Sequence, residues 1–79
     1  MFINKSPNGL NNISGKKIAT YRKQRKLSQR ALADNLQILG LDIDKNAIQR
    51  IEAGKRFVTD IELKIIASFF SVPVDDLLE

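Results

Sequence analysis

The sequence of 79 residues contains neither cysteine nor histidine, and its aromatic residues are one tyrosine and four phenylalanines. Without cysteine there can be no disulfide and no thiolate metal site, and without histidine the chain lacks the commonest metal ligand and general base. We therefore expect no catalytic residue, no metal and no cofactor. The few aromatic residues stand at spacings typical of a core, which argues against a stacking platform for single-stranded nucleic acid.

Long apolar runs are missing as well. No uncharged apolar segment approaches the roughly 18 residues that span a membrane, and the start of the chain lacks the basic head and apolar run of a signal peptide. We therefore expect a cytoplasmic location and no membrane partner. A chain of this length has room for one domain with a single small core.

Charge is distributed unevenly along the chain. Residues 1–30 hold eight basic side chains and no acidic one, whereas residues 57–79 hold one lysine and five acidic side chains. This asymmetry is typical of a protein that turns one end toward a polyanion and keeps the other end away from it. The alternative is a solvated basic face that has no partner.

Capping residues and apolar periodicity predict five helices and no strand, so the expected fold class is all-α. We predict helices from Ser14 to about Lys26, from Ser28 to Gly40, from Asp44 to Gly54, from Thr59 to Phe70, and a short one after Pro73. Residues 1–13 show no hydrophobic period and are rich in asparagine. We interpret them as a flexible N-terminal arm of a domain that spans residues 14–79.

The third predicted helix has an unusual outer face. At about 100° per residue, Ile48 and Ile51 point toward the core, whereas Asn46, Gln49 and Arg50 point the opposite way. Amide and guanidinium groups have the paired donors and acceptors that match base edges in the major groove of DNA. An ordinary polar surface is the alternative interpretation of the same pattern.

The second and third predicted helices share a pattern of motifs with a known family. These motifs are Leu27-Ser28-Gln29, Leu32-Ala33, Leu36, Ile48, Ile51-Glu52 and Gly54-Lys55, continued by Leu63, Ile66-Ala67, Phe70, Val72, Val74-Asp75 and Leu77-Leu78. Together they resemble the helix-turn-helix domain of the Cro and phage-repressor type, also called the xenobiotic-response-element family. The resemblance covers about residues 14–78 and implies a compact five-helix bundle of the phage-repressor DNA-binding-domain type.

The resemblance also implies a function. It predicts a sequence-specific transcription regulator, a repressor, whose third helix, about residues 44–53, enters the major groove of double-stranded DNA. The expected target is a pseudo-palindromic operator, and no small-molecule ligand is expected. The alternatives are a protein-interaction or antitoxin module of the same fold, with DNA binding secondary, and an enzyme or RNA-binding protein.

Individual roles follow from the same resemblance. The positions that read bases in the family are occupied by Lys45, Asn46, Gln49 and Arg50, and those that contact DNA phosphates by Ser28, Gln29, Lys55 and Arg56. Alternatives remain for three of these residues. Lys45 and Arg56 could be solvated, and Arg50 could contact a phosphate instead of a base.

Two features depart from the family pattern. Leu32 and Ile48 are 16 positions apart, a longer spacing than is usual, so we expect an insertion within residues 37–42 that lengthens the second helix and its turn. Ser71 stands where the family commonly has glycine before the last helix. A non-glycine residue is unfavourable there if its φ is positive.

Glu52 places a carboxylate on the buried side of the third helix. An unpaired buried charge is too costly to keep, and the first helix offers Arg22 and Arg25 as partners. The family resemblance selects Arg22. We therefore expect a structural ion pair, Arg22 with Glu52, in a bidentate geometry that ties the first helix to the third.

The fourth helix has more apolar surface than one small core needs. Ile61, Ile65 and Phe69 form a second stripe at i, i+4 and i+8, beside the stripe that faces the core. We expect these residues and Leu78 to form a homodimer interface, because two-fold dimers of this family place two recognition helices on one operator. The alternative is that residues 1–3 or the last helix cover the stripe within one chain.

Overall fold

The computed structural model describes Lys5 and residues 9–79. Within these residues it contains five α-helices and no strand, which confirms the predicted all-α fold. The helices are α1 (Gly15–Gln24), α2 (Gln29–Ile38), α3 (Lys45–Glu52), α4 (Asp60–Phe70) and α5 (Val74–Leu78). No helix in this part of the chain has the length and hydrophobicity that crossing a bilayer requires.

Three of the four predicted helix caps are present. The side chains of Ser28 and Asp44 accept the backbone N–H groups of Ala31 and Ala47 at 2.9 and 2.8 Å. Thr59 forms a reciprocal capping box with Glu62, as its spacing predicted. These caps satisfy N–H groups that have no partner within the first turn of a helix, and they define where α2, α3 and α4 begin.

The prediction that Ser14 caps the first helix is wrong. Ser14 already has helical backbone angles (φ −86°, ψ −16°) and is buried, whereas a capping residue has extended angles that turn its oxygen toward the helix N–H groups. Asn12 supplies the oxygen instead, because its Oδ1 accepts the N–H of Gly15 at 2.8 Å. The helix also ends at Gln24, before Lys26, which has a left-handed φ of 57°.

The core lies between the five helices. Its fully buried side chains include Ile18, Leu32, Leu36, Ile48, Ile51, Ile66 and Leu77. The long connection between α2 and α3 adds Leu41 and Ile43 to this core. The Gln37 side chain donates to the carbonyl of Ile43 at 2.8 Å, so the connection is anchored by hydrogen bonding as well as by burial.

The described part of the predicted N-terminal arm includes residues that are bonded to the domain. The backbone N–H of Asn11 donates to the carbonyl of Gly54 at 2.8 Å, and the side chains of Asn11 and Asn12 bond to the same region. Residues 10–12 are therefore attached to the end of α3. The sequence did not predict this attachment, because asparagine-rich segments without a period resemble loops.

Ser71 has the positive φ that its position before α5 suggested, with φ 58° and ψ 40°. A left-handed conformation is unfavourable for residues with a Cβ, whereas glycine adopts it readily. We expect Ser71→Gly to raise the free energy of unfolding by about 0.5 to 1 kcal/mol, since the lost strain exceeds the greater entropy of glycine in the unfolded chain.

The measurement for Ser71→Gly is urea denaturation followed by circular dichroism. Ser68→Gly is the matched control, because Ser68 is exposed inside α4 and its replacement should instead destabilise the protein by about 0.5 kcal/mol. Equal destabilisation by both changes would show that the backbone strain at Ser71 is negligible.

Candidate nucleic-acid interface

The third helix, α3, has one buried face and one exposed polar face. It docks on the core through Ile48 and Ile51, both fully buried. On the opposite side, Asn46, Gln49 and Arg50 are exposed and line one open surface depression, together with Ala53 and Lys55. The arrangement brings two amides, a guanidinium and an ammonium group to the same surface.

The side chains in this depression are not engaged elsewhere in the described residues. No hydrogen bond or ion pair there involves the side chains of Asn46, Gln49 or Arg50, whereas Arg22 and Gln29 are both bonded to Glu52. Lys45, the first residue of α3, is exposed but does not line the depression. Of the four residues predicted to read bases, three therefore line one depression, and the fourth, Lys45, precedes them at the start of α3.

The four residues predicted to contact phosphates differ in their surroundings. Ser28 caps α2, and Gln29 donates from Nε2 to Glu52 at 3.0 Å, so both are parts of the fold. Lys55 is exposed and lies with the α3 side chains in the depression. Of the four, Lys55 therefore has the simplest access to a ligand.

Arg56 is held by an ion pair that the sequence did not predict. Its Nη1 and Nη2 donate to the two carboxylate oxygens of Glu62 at 3.0 Å each, and Nη1 also donates to the carbonyl of Phe57. The hydrogen bond with Glu62 raises the pKa of Arg56. Burial by itself would raise the pKa of the Glu62 carboxyl, but bonds from Arg56 and from the backbone of Thr59 lower it instead. The charged guanidinium of Arg56 therefore fixes the loop before α4.

Arg22 and Glu52 form the bidentate pair expected from the sequence. Arg22 Nε lies 2.6 Å from one carboxylate oxygen of Glu52 and Nη2 lies 3.0 Å from the other, with Arg22 only 9% exposed. The bond with Glu52 raises the pKa of Arg22, so the guanidinium stays charged. Because Gln29 bonds to the same carboxylate, Glu52 joins α1, α2 and α3 at one point. This junction sets how α3 presents its outer face.

Arg25, the other candidate partner for Glu52, has a different role. Its guanidinium donates to the carbonyls of Phe69 and Phe70 at 3.1 and 2.7 Å, and it lies about 5.5 Å from the centre of each ring. These carbonyls are at the end of α4, where backbone acceptors lack partners in the helix. Arg25 therefore links α1 to α4.

The stripe predicted as a dimer interface is divided between core and surface. Ile65 and Phe69 are half-buried and pack against the core, whereas Ile61 is 66% exposed and Leu78 is 40% exposed. Phe57, just before α4, is also exposed. The alternative cover by residues 1–3 lies outside the described residues.

Three acidic residues, Asp75, Asp76 and Glu79, lie close together in the sequence at α5. Over residue 5 and residues 9–79, no group of three or more acidic side chains is placed to hold a metal ion. The two aspartates lie in the first turn of α5, where negative charge is favourable beside the helix N-terminus.

Comparisons with known proteins agree with this geometry. A helix-turn-helix family model matches residues 18–77. The structure is similar to the crystal structure of the DNA-binding domain of BldD, with a TM-score of 0.72 and 28% sequence identity, covering 89% of this chain and 94% of that chain. Comparison with curated protein sequences gave no significant match.

Proposed function

Because the chain belongs to the Cro/C1-type helix-turn-helix family, we propose that it is a transcription regulator that binds a specific sequence in double-stranded DNA. The similar structure is itself a DNA-binding domain, which supports the same activity here. The observation that carries the proposal is the outer face of α3. Asn46, Gln49 and Arg50 share one exposed depression that the packing of the core does not require.

The chemistry of this face matches the major groove. An asparagine or glutamine amide can bond to N6 and N7 of adenine together, and an arginine can bond to O6 and N7 of guanine. We assign base recognition to Asn46, Gln49 and Arg50, with Lys45 at the edge of the contact. Lys55 then contacts a phosphate, as does the N-terminus of α2 around Ser28, where backbone N–H groups favour anions. Arg56 supports the loop through Glu62.

We further propose that the protein is a repressor, that it acts as a homodimer and that it is located in the cytoplasm. A repressor needs only to occupy its operator, which is within the capacity of a small DNA-binding domain. A two-fold dimer would place two α3 helices about one DNA turn apart on a pseudo-palindromic site. The exposed apolar side chains of Ile61, Phe57 and Leu78 support dimerisation.

Selection of bound duplexes from a random DNA pool tests the proposed function directly. We expect a pseudo-palindromic consensus, and affinity that falls with salt by a log slope of about 0.9 for each phosphate contacted. Failure to enrich any sequence over random duplex would contradict sequence-specific recognition and favour the protein-interaction alternative.

We expect Gln49→Ala and Arg50→Ala each to weaken binding to the selected site by about 1 to 3 kcal/mol, because each change removes a bidentate contact with a base. Binding to unrelated duplex should change less. Lys55→Ala is the control, since losing a phosphate contact weakens all sequences together. Equal losses on selected and unrelated duplexes for Gln49→Ala and Arg50→Ala would show that these residues do not read bases.

The dimer has a separate test by sedimentation. We expect the unmodified protein to be dimeric at micromolar concentration on its operator, and Ile61→Glu to weaken dimerisation by about tenfold or more by burying a carboxylate in an apolar contact. Lys64→Glu is the matched control, because Lys64 is an exposed residue of the same helix outside the stripe. Monomers of the unmodified protein, free and on DNA, would contradict the homodimer.

A further inference from the structure

Residues 10–12 form a strap across the turn that follows α3. The strap bonds to backbone carbonyls of Ile51, Gly54, Lys55 and Arg56, with donor–acceptor distances of 2.7 to 3.1 Å. The Leu10 side chain lies against Gly54, so close that an added Cβ there would be 2.8 Å from Leu10 Cδ2. The strap is therefore fitted to this turn along its whole length.

The amide of Asn12 connects three segments of the chain. Its Nδ2 donates to the carbonyls of Ile51 and Arg56 at 3.1 and 2.7 Å, and its Oδ1 accepts the N–H of Gly15 at 2.8 Å. A side-chain amide has two N–H donors, so both are used here. One asparagine thus joins the start of α1, the last turn of α3 and the loop beyond it.

The backbone of Lys55 is fixed from both sides by these contacts. Its N–H donates to the carbonyl of Arg50 at 2.9 Å, and its carbonyl accepts the side-chain N–H of Asn11 at 2.8 Å. Gly54 before it has a left-handed φ of 77°, and Arg56 after it is paired with Glu62. The Lys55 ammonium is therefore carried by a long side chain on a rigid, strapped turn.

We infer that Asn11 and Asn12 are positioning residues for DNA recognition, holding the turn after α3 so that Lys55 meets a DNA phosphate while α3 occupies the groove. The inference rests on the proposed function. Phosphate contacts fix the register of a protein on DNA, and a turn that had to be ordered on binding would reduce the gain from its contact. The strap orders this turn before DNA arrives.

The test measures duplex DNA affinity against salt for Asn11→Ala/Asn12→Ala, for Lys55→Ala and for the triple variant. We expect the strap variant to lower the salt slope by nearly one unit, as Lys55→Ala does, and to bind about tenfold more weakly near 0.1 M salt. In the Lys55→Ala background the strap substitutions should leave the slope unchanged, because the contact that they position is already lost.

Asn35→Ala is the matched control for removing an amide. The Asn35 side chain also donates to a backbone carbonyl, that of Ala31 at 2.8 Å, but within α2 and away from the strap. The Asn35→Ala variant should therefore bind DNA with an unchanged salt slope. If the double variant does not fold, Asn11→Ala alone serves, since it keeps the bonds from Asn12 and loses only the side-chain bond to Lys55.

Amide hydrogen exchange of the free protein supplies a readout that does not depend on DNA. In the strap variant, exchange at Gly54 and Lys55, whose N–H groups are bonded to Ile51 and Arg50, should accelerate while that of α2 stays the same, as a local loosening requires. An unchanged salt slope in a folded strap variant would overturn the inference, and so would a further fall of the slope in the triple variant.

The failure of the inference and that of the proposed function are distinguishable. If the unmodified protein binds no DNA, the proposed function fails, and the inference fails with it even where exchange accelerates. If the unmodified protein selects an operator but the strap variant binds it with an unchanged salt slope, only the inference fails.

Discussion

Replacing Arg22 with methionine is expected to lower the free energy of unfolding by about 3 to 5 kcal/mol, the largest effect of any single change predicted for this chain. The substitution keeps an apolar stem of similar length but leaves the carboxylate of Glu52 buried without its bidentate partner. Domains of this size have a total stability of only about 4 to 12 kcal/mol, so the variant should lose a large fraction of its stability. Urea denaturation at low temperature is the measurement.

The double variant Arg22→Met/Glu52→Leu provides the control. Replacing both members of a buried pair with apolar residues removes the unpaired charge, so we expect it to recover much of the lost stability. Additive losses from the two single changes would show that Arg22 and Glu52 do not interact. The recovered protein should still bind DNA more weakly, because Gln29 also loses its acceptor and α3 is then held less rigidly.

Gly15→Ala is expected to destabilise the protein by about 3 kcal/mol, although alanine is the better helix former. A Cβ at this position would overlap the carbonyl oxygen of Ile51 and lie 2.9 Å from Asn12 Oδ1. The carbonyl oxygen of Ile51 belongs to the backbone and cannot rotate away as a side chain can. The clash is therefore relieved only if α1 moves away from the end of α3. Thermal and urea denaturation measure the loss.

Gly40→Ala separates this steric effect from backbone strain. Gly40 has a φ of 99°, but an added Cβ there would meet no atom within 4 Å. We expect only the conformational penalty at Gly40, about 1 to 2 kcal/mol. Similar losses at Gly15 and Gly40 would contradict a tight approach of α1 to α3.

The outer face of α3 was predictable because it depends on a local rule. A helix capped at Asp44 that buries Ile48 and Ile51 must turn Gln49 and Arg50 outward, whatever the rest of the chain does. Its buried carboxylate had to find a cation, and only two arginines on the first helix were candidates. The choice between them came from the family resemblance, and the structure brings Arg22 to Glu52.

The roles of Arg56 and the two strap asparagines had no such local signal. Arg56 and Glu62 are six residues apart, a separation that does not place them together on one helix, and the carbonyls bonded by Asn11 and Asn12 are 39 to 44 residues further along the chain. Polar residues in an irregular segment are equally compatible with solvent. Their partners depend on where the chain folds back.

The sequence by itself determined the number of helices, three of their caps and the face that α3 buries, because these follow from side-chain periodicity and hydrogen bonds over three or four residues. Only the tertiary structure decided that Asn12, not Ser14, caps α1, that Leu41 and Ile43 belong to the core, and that Arg56 is committed to Glu62. In each case packing of the whole chain brings the partners together. Their spacing in the sequence does not predict these contacts, because the residues become neighbours only after the core has formed.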